Sequence, residues 1–148
     1  MRQSKENGKA GKIRIILRGR TGFKGIAEGE ALVCRTPFMF LSYVDVGSGI
    51  IHAKGHELEG KSVKDKIMVF PCGKGSAGEE ASLLMLKQVG VAPKAVIMGS
   101  AVYVPGVIGA IIANIPLVYG FEQNCLGVIN NGDHVKVDAD KGIIEVTK

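Results

Sequence analysis

An apolar run, Ile67-Met68-Val69-Phe70, leads into Pro71-Cys72 and then into Gly73-Lys74-Gly75-Ser76-Ala77-Gly78. Glycines there allow a backbone to come close to a ligand. If a helix opens behind the segment, its unpaired N–H groups favour an anion, whether carboxylate or phosphate. Lys74 adds a positive charge, and Ser76 a hydroxyl able to donate or accept a proton. The order is not that of a Walker A loop, which needs G-x-x-x-x-G-K-[ST]. Nor is it a G-x-S-x-G nucleophile elbow: Gly78 stands two residues after Ser76, but Gly75 adjoins the serine directly. A second reading stays open, in which Ser76 is simply the N-cap of the helix that follows, since serine is a preferred cap.

Other side chains with chemical potential are scattered. Cys34, Cys72 and Cys125 are widely spaced and include no C-x-x-C pair. They read as buried, inert thiols in a reducing compartment rather than a disulfide or iron–sulfur framework. Cys72, beside the glycine-rich segment, is the one of interest. His52 and His56 stand four apart outside any helical frame, so surface residues are expected there rather than a metal pair. This chain is expected to bind no metal itself.

The elements that must position the segment follow from pattern. Ile13 to Leu17 begin a strand, residues 19–25 read as a turn-rich link, and Glu30 to Cys34 as a second strand. Phe38 to Val46 are apolar with little helical period, Gly47-Ser48-Gly49 is a turn, and Ile50 to Ala53 a short strand. Residues 54–66 are polar and glycine-bearing, as in a surface loop. Ile67 to Phe70 have the continuous apolar character of a buried strand. Glu79-Glu80 open an amphipathic helix with Leu83, Leu84, Leu86 and Val89 on its apolar side, and Gly90 ends it. Lys94 to Met98 form a strand, Val107 to Ala113 a nearly all-apolar buried helix, and Pro116 to Tyr119 the next strand. This β-α-β-α-β order predicts a parallel three-stranded core. Two runs, His134 to Val137 and Ile143 to Val146, predict a closing hairpin. The segment of interest then lies beyond the carboxyl end of a core strand, where open α/β sheets bind ligands.

Composition bounds the function. With 148 residues, 46% hydrophobic and 22% charged, the chain suits a single globular domain. Its net charge of +5 is uneven. Residues 1–24 carry eight basic residues against Glu6 alone, while the rest carries 11 basic and 13 acidic residues. This reads as a basic flexible tail over residues 1–12, with one domain over residues 13–148. The tail lacks the interleaved aromatics of a base-stacking surface, so nucleic acid is not the expected partner. No apolar run approaches the ~20 residues of a membrane span. No secretory h-region follows the basic start, so a cytoplasmic protein is expected.

Several blocks, in this order and spacing, resemble one known family: Gly29-Glu30-Ala31-Leu32-Val33, Pro37-Phe38, Val44-Asp45, Ser48-Gly49-Ile50-Ile51 and Gly60-Lys61-Ser62. Gly73-Lys74-Gly75-Ser76, Gly90-Val91-Ala92-Pro93-Lys94-Ala95, Gly109-Ala110-Ile111-Ile112-Ala113 and Asn114-Ile115-Pro116-Leu117-Val118 complete the set. The chain resembles the swivel domain, or small subunit, of the aconitase X family. That resemblance implies an α/β fold: a swivelling β/β/α domain with the parallel core, flanking strands and hairpin. It also implies a hydro-lyase active only with a larger partner subunit, which holds an iron–sulfur cluster. Family members dehydrate hydroxy acids such as 5-phosphomevalonate, in an archaeal isoprenoid route, or cis-3-hydroxy-L-proline. The resemblance favours 5-phosphomevalonate, and it makes Ser76 the catalytic proton acceptor. Gly73, Lys74, Gly75, Ala77 and Gly78 then become the substrate-binding residues for a small anionic hydroxy acid. The pattern departs from the family at Ser42-Tyr43, at Ala77-Gly78-Glu79-Glu80 and at Gly99-Ser100-Ala101. A non-catalytic binding or carrier swivel module is the reading of another class. A phosphohistidine carrier would need a histidine in the reactive loop, where this chain has Ser76. The apolar residues 37–46 are expected to lie partly at the partner interface, with a place in this chain's own core as the equal alternative.

Overall fold

A computed structural model describes residues 6–7, 11–75, 78–100 and 102–148. Ser76 and Ala77, both assigned to the candidate site from sequence, lie outside the described residues. The elements in chain order are β1 (Glu6–Asn7), β2 (Ile13–Arg18), β3 (Arg20–Phe23), β4 (Ile26–Val33), α1 (Phe40–Tyr43) and β5 (Ile67–Phe70). They continue with α2 (Glu79–Val89), β6 (Ala95–Met98), α3 (Val104–Ala113), β7 (Leu117–Tyr119), α4 (Cys125–Val128), β8 (His134–Asp138) and β9 (Ile143–Thr147).

The strands run in the order β1-β2-β9-β8-β4-β5-β6-β7-β3. β4 joins two halves of this arrangement. Ile26 to Glu30 pair antiparallel with β8, and Ala31 to Val33 pair parallel with β5. Burial changes at the same point, from alternating exposure to three buried residues in succession. A strand covered on one face alternates, whereas one covered on both does not. β5, β6 and β7 continue the parallel half, so the predicted three-stranded core is present and gains β4 as a fourth strand.

Side chains of β5 point alternately into two cores. Met68 and Phe70 meet Leu83 and Leu86 of α2 and Ala110 and Ala113 of α3. Ile67 and Val69 meet Leu17, Val135, Val137, Ile144 and Val146 of the antiparallel strands. The result is three layers, β/β/α, with α2 and α3 packed together over one face of the parallel half. Gly109 makes that helix pair close. A Cβ there would stand 3.1 Å from the Glu80 carbonyl oxygen.

Three expectations are corrected. Residues 19–25, expected as a turn-rich link, contain β3, which pairs antiparallel with β7 around an irregularity between Thr21 and Phe23. Gly22 is there for closeness: its Cβ would stand 2.4 Å from Leu117 Cδ2. The short strand expected at residues 50–53 is reduced to two isolated bridges, Val44 with Ile51 and Ile50 with Ser62. The α3 helix begins three residues earlier than expected and is not buried all round: Val104, Ile108, Ile111 and Ile112 are exposed. Within the stretch 37–46, Phe38, Met39, Phe40 and Val44 are buried in this chain's own core, while Leu41, Tyr43 and Val46 are half-buried. Glycines at 106 and 109 bring α3 down on its small-residue side, which turns the branched side chains outward. Phe38 and Phe40 fill the space beneath the end of β5.

Among the described residues no helix is long and apolar enough to cross a membrane.

Candidate functional site

The glycine-rich loop leaves β5 at Phe70, at the carboxyl end of the parallel strands. Its first residues are tied to neighbours on both sides. The Gly99 N–H donates to the Phe70 carbonyl (2.8 Å), and both the N–H and Oγ of Ser100 donate to the Pro71 carbonyl (2.9 Å each). On the other side Phe38 forms a parallel bridge with Gly73. The Phe38 N–H donates to the Cys72 carbonyl (3.1 Å), and the Lys74 N–H to the Phe38 carbonyl (3.0 Å). The loop thus leaves the sheet as a short extra strand running beside Phe38.

Gly73 must be glycine for a packing reason. A Cβ at this position would lie 2.0 Å from Tyr103 Cδ1, so the Tyr103 ring occupies the place of a side chain. Tyr103 is the N-cap residue of α3. The loop after β5 and the helix after β6 are therefore in van der Waals contact at the carboxyl edge.

Beyond the loop, α2 starts at Glu79, with Gly78 at its N-cap in the left-handed region (φ 95°) and no side-chain cap bond. The capping position belongs to Gly78, which corrects the reading of Ser76 as the N-cap. A left-handed turn at this point favours glycine.

Glu79, read from sequence only as an acid suited to the helix dipole, is 4% exposed. Its Oε1 accepts the Phe40 N–H (2.7 Å) and its Oε2 the Leu41 N–H (3.0 Å). Burial raises its carboxyl above the ordinary value, against the lowering pull of the Leu41 and Phe40 amides. Phe38 and Glu79 thus hold the two ends of the loop against the same short segment, residues 38–41. Nothing in the spacing marks Glu79 for this role. An acid in a first helical turn is ordinary, and its burial depends on α1 lying alongside.

That segment also carries Tyr43. Its ring packs against Phe38 (centroids 5.4 Å apart, 80° between planes) and His56 (5.3 Å, 54°). Lys74 is exposed, and its Nζ donates to the Tyr43 hydroxyl at 3.4 Å.

The remaining candidates stand elsewhere. His52 is exposed, while His56 sits inside the aromatic cluster. His56 Nδ1 accepts the Leu58 N–H (3.0 Å), and its Nε2 is 3.5 Å from Cys34 Sγ. Both nitrogens are engaged within the protein, so His56 is not the surface residue expected. Burial pushes the Cys34 thiol up, and the Cys125 thiol up to about 11. Cys72 is half-buried at the base of the loop. Among the described residues no three His, Cys, Asp or Glu side chains gather to hold a metal.

Residues 16–146 match the Aconitase X swivel domain family. The chain belongs to that family. The swivel domain is 43% identical over 136 residues to the phosphomevalonate dehydratase small subunit of Methanosarcina acetivorans, covering 92% of this chain and 94% of that one. With the protein of the same name from Methanocella arvoryzae it shares 45% identity over 123 residues, 83% of this chain and 92% of the relative. Its fold superposes on the crystal structure of Thermococcus kodakaraensis aconitase X in its holo form with a TM-score of 0.83. That match is at 38% identity and covers 90% of this chain and 98% of the other. The β/β/α sandwich inferred from the motif blocks is thus the fold of this swivel domain.

Proposed function

We propose that this swivel domain is the small subunit of a two-chain phosphomevalonate dehydratase. The observation that carries the reading is near-full-length similarity to subunits of that name, 92% of this chain against 94% of the Methanosarcina acetivorans protein. The names of these relatives favour 5-phosphomevalonate over a hydroxyproline. A small subunit implies a larger one, and the site is completed when the two chains meet. The iron–sulfur cluster belongs to that larger chain, where it supplies a Lewis acid for the departing hydroxyl.

This chain's part is the proton. Dehydration next to a carboxylate removes a carbon-bound hydrogen as a proton; the C–H electrons form the new C=C bond as the C–O bond breaks, and the hydroxide released and the proton taken from carbon together make up the water lost. Ser76 is the acceptor in this reading. A serine hydroxyl is a poor base unless ionised, and its alkoxide is favoured by Lys74 two residues before it and by the start of α2 three residues after it. The backbone N–H groups of Gly73, Gly75, Ala77 and Gly78, with the Lys74 ammonium, bind the substrate anion. At Gly75 a Cβ would have no described neighbour nearer than 3.8 Å, which leaves room for that approach.

Ser76→Ala in the reconstituted two-chain enzyme tests this assignment. Turnover of 5-phosphomevalonate should fall by a factor of at least ~100, as for loss of a general base. The melting temperature should hold, because Gly78 and not Ser76 occupies the helix cap. Near-normal turnover in a stable complex would remove Ser76 from the mechanism. The isolated chain should fold and show no turnover; robust dehydration without a larger subunit would overturn the two-chain reading.

A further inference from the structure

The Tyr43 hydroxyl lies at the loop, and the reading of that loop as an anion site gives it no part. Its oxygen accepts from Lys74 Nζ at 3.4 Å, and the ammonium lies 6.0 Å from the ring centroid. A phenol that accepts from an ammonium keeps its own proton to give, and the adjacent cation makes that proton a stronger donor. Among the described residues the Tyr43 hydroxyl has no acceptor for this proton, and Lys74 has no carboxylate partner.

The hydroxyl is also held in place. The Tyr43 ring is set edge-on against Phe38 at 5.4 Å and tilted against His56 at 5.3 Å. The turn that carries it is fixed at its start by the Glu79 carboxylate and closed by the Val44 N–H donating to the Phe40 carbonyl (3.0 Å). A short, packed side chain with two χ angles gives up little freedom when it binds, whereas Lys74 is long and exposed.

We propose that Tyr43 is a specificity-determining residue of this site: its hydroxyl and the Lys74 ammonium together bind the anionic terminal group of the substrate, one donor to each of two oxygens. The inference rests on the loop being the substrate site. An anion with at least two acceptor oxygens, a phosphate or a carboxylate, engages both donors at once; a neutral hydroxyl engages one.

The test is steady-state kinetics of the reconstituted two-chain enzyme with 5-phosphomevalonate. In Tyr43→Phe, which keeps the ring and its packing, KM should rise about tenfold, the scale of one hydrogen bond to a charged group, while kcat changes less than about twofold. Competitive inhibition by inorganic phosphate and by acetate identifies the group. Weakened phosphate inhibition in Tyr43→Phe assigns the pair to a phosphate end, and weakened acetate inhibition to a carboxylate end. Lys74→Met separates the two levels of the argument. If Lys74→Met raises KM and Tyr43→Phe does not, Tyr43 has no role and the loop reading stands. If neither changes KM, the loop is not the anion site and both readings fall.

Discussion

The carboxylate of Glu79, the first residue of α2, grips the backbone of Phe40, accepting its N–H at 2.7 Å and that of Leu41 at 3.0 Å. These contacts fix the far end of the glycine-rich loop to the segment that already pairs with its near end through Phe38 and Gly73. The loop is thus clamped at both ends by residues 38–41. Substrate-binding groups gain from being fixed before the ligand arrives, because less ordering remains to be done on binding.

Removing that carboxylate should be costly. Glu79→Ala leaves the buried Phe40 N–H without a partner, and the predicted loss is about 2 kcal/mol or more in chemical denaturation. Glu79→Gln keeps one acceptor oxygen and should lose less.

The same residue gives a pH signature. Its folded carboxyl is raised above the ordinary value by burial. A raised acid contributes stability that is fully present below the unfolded value and is lost as pH rises through the folded one. The unfolding free energy of the native chain should therefore fall relative to Glu79→Gln as pH rises upward from about 4.5, the ordinary glutamate value. Denaturant titrations of both proteins across the acid range check this; parallel curves would contradict it.

Two neighbouring glycines should respond differently to alanine. In Gly73→Ala the new Cβ meets Tyr103 Cδ1 at 2.0 Å, so the ring or the loop must move, at a cost of ~1–3 kcal/mol. In Gly75→Ala the nearest described contact is Tyr103 Oη at 3.8 Å, an ordinary separation. Thermal melts should show a drop for the first and little change for the second.

Apolar residues on the two sides of the fold should also part company. Phe40 is 4% exposed, and Phe40→Asp should unfold the isolated chain, since it buries a charge in the aromatic cluster. Ile112 on α3 is 51% exposed, and Ile112→Lys should leave the melting temperature nearly unchanged. Circular dichroism of the two variants makes the comparison.

The cysteines should differ in reactivity. Cys34 and Cys125 are buried with raised thiol values, Cys125 to about 11, so few thiolates form at neutral pH. Cys72 is half-buried at the loop base. Mass spectrometry after native alkylation with iodoacetamide should find Cys72 modified first. Equal labelling of all three would contradict the burial described.

The sequence by itself determined the elements whose signals are local. The run from Ile67 to Phe70, the helix that Gly90 ends, and the hairpin around Asp140-Lys141-Gly142 each carry a period or a breaker within a few residues. The ordered motif blocks placed the chain in its family, and the β-α-β-α-β pattern located the loop at the carboxyl end of a core strand. Only the tertiary structure decided what lies against that loop. Gly22 looks like a turn residue until Leu117 arrives from 95 positions away to require it. Glu79 looks like an exposed acid until α1 lies beside it, and Tyr43 like part of an apolar run until its hydroxyl reaches Lys74, 31 residues on. The physical reason is common to all three. A close approach, a buried hydrogen bond and a charge-assisted contact are properties of pairs distant in sequence, and no periodicity along one segment encodes its partner.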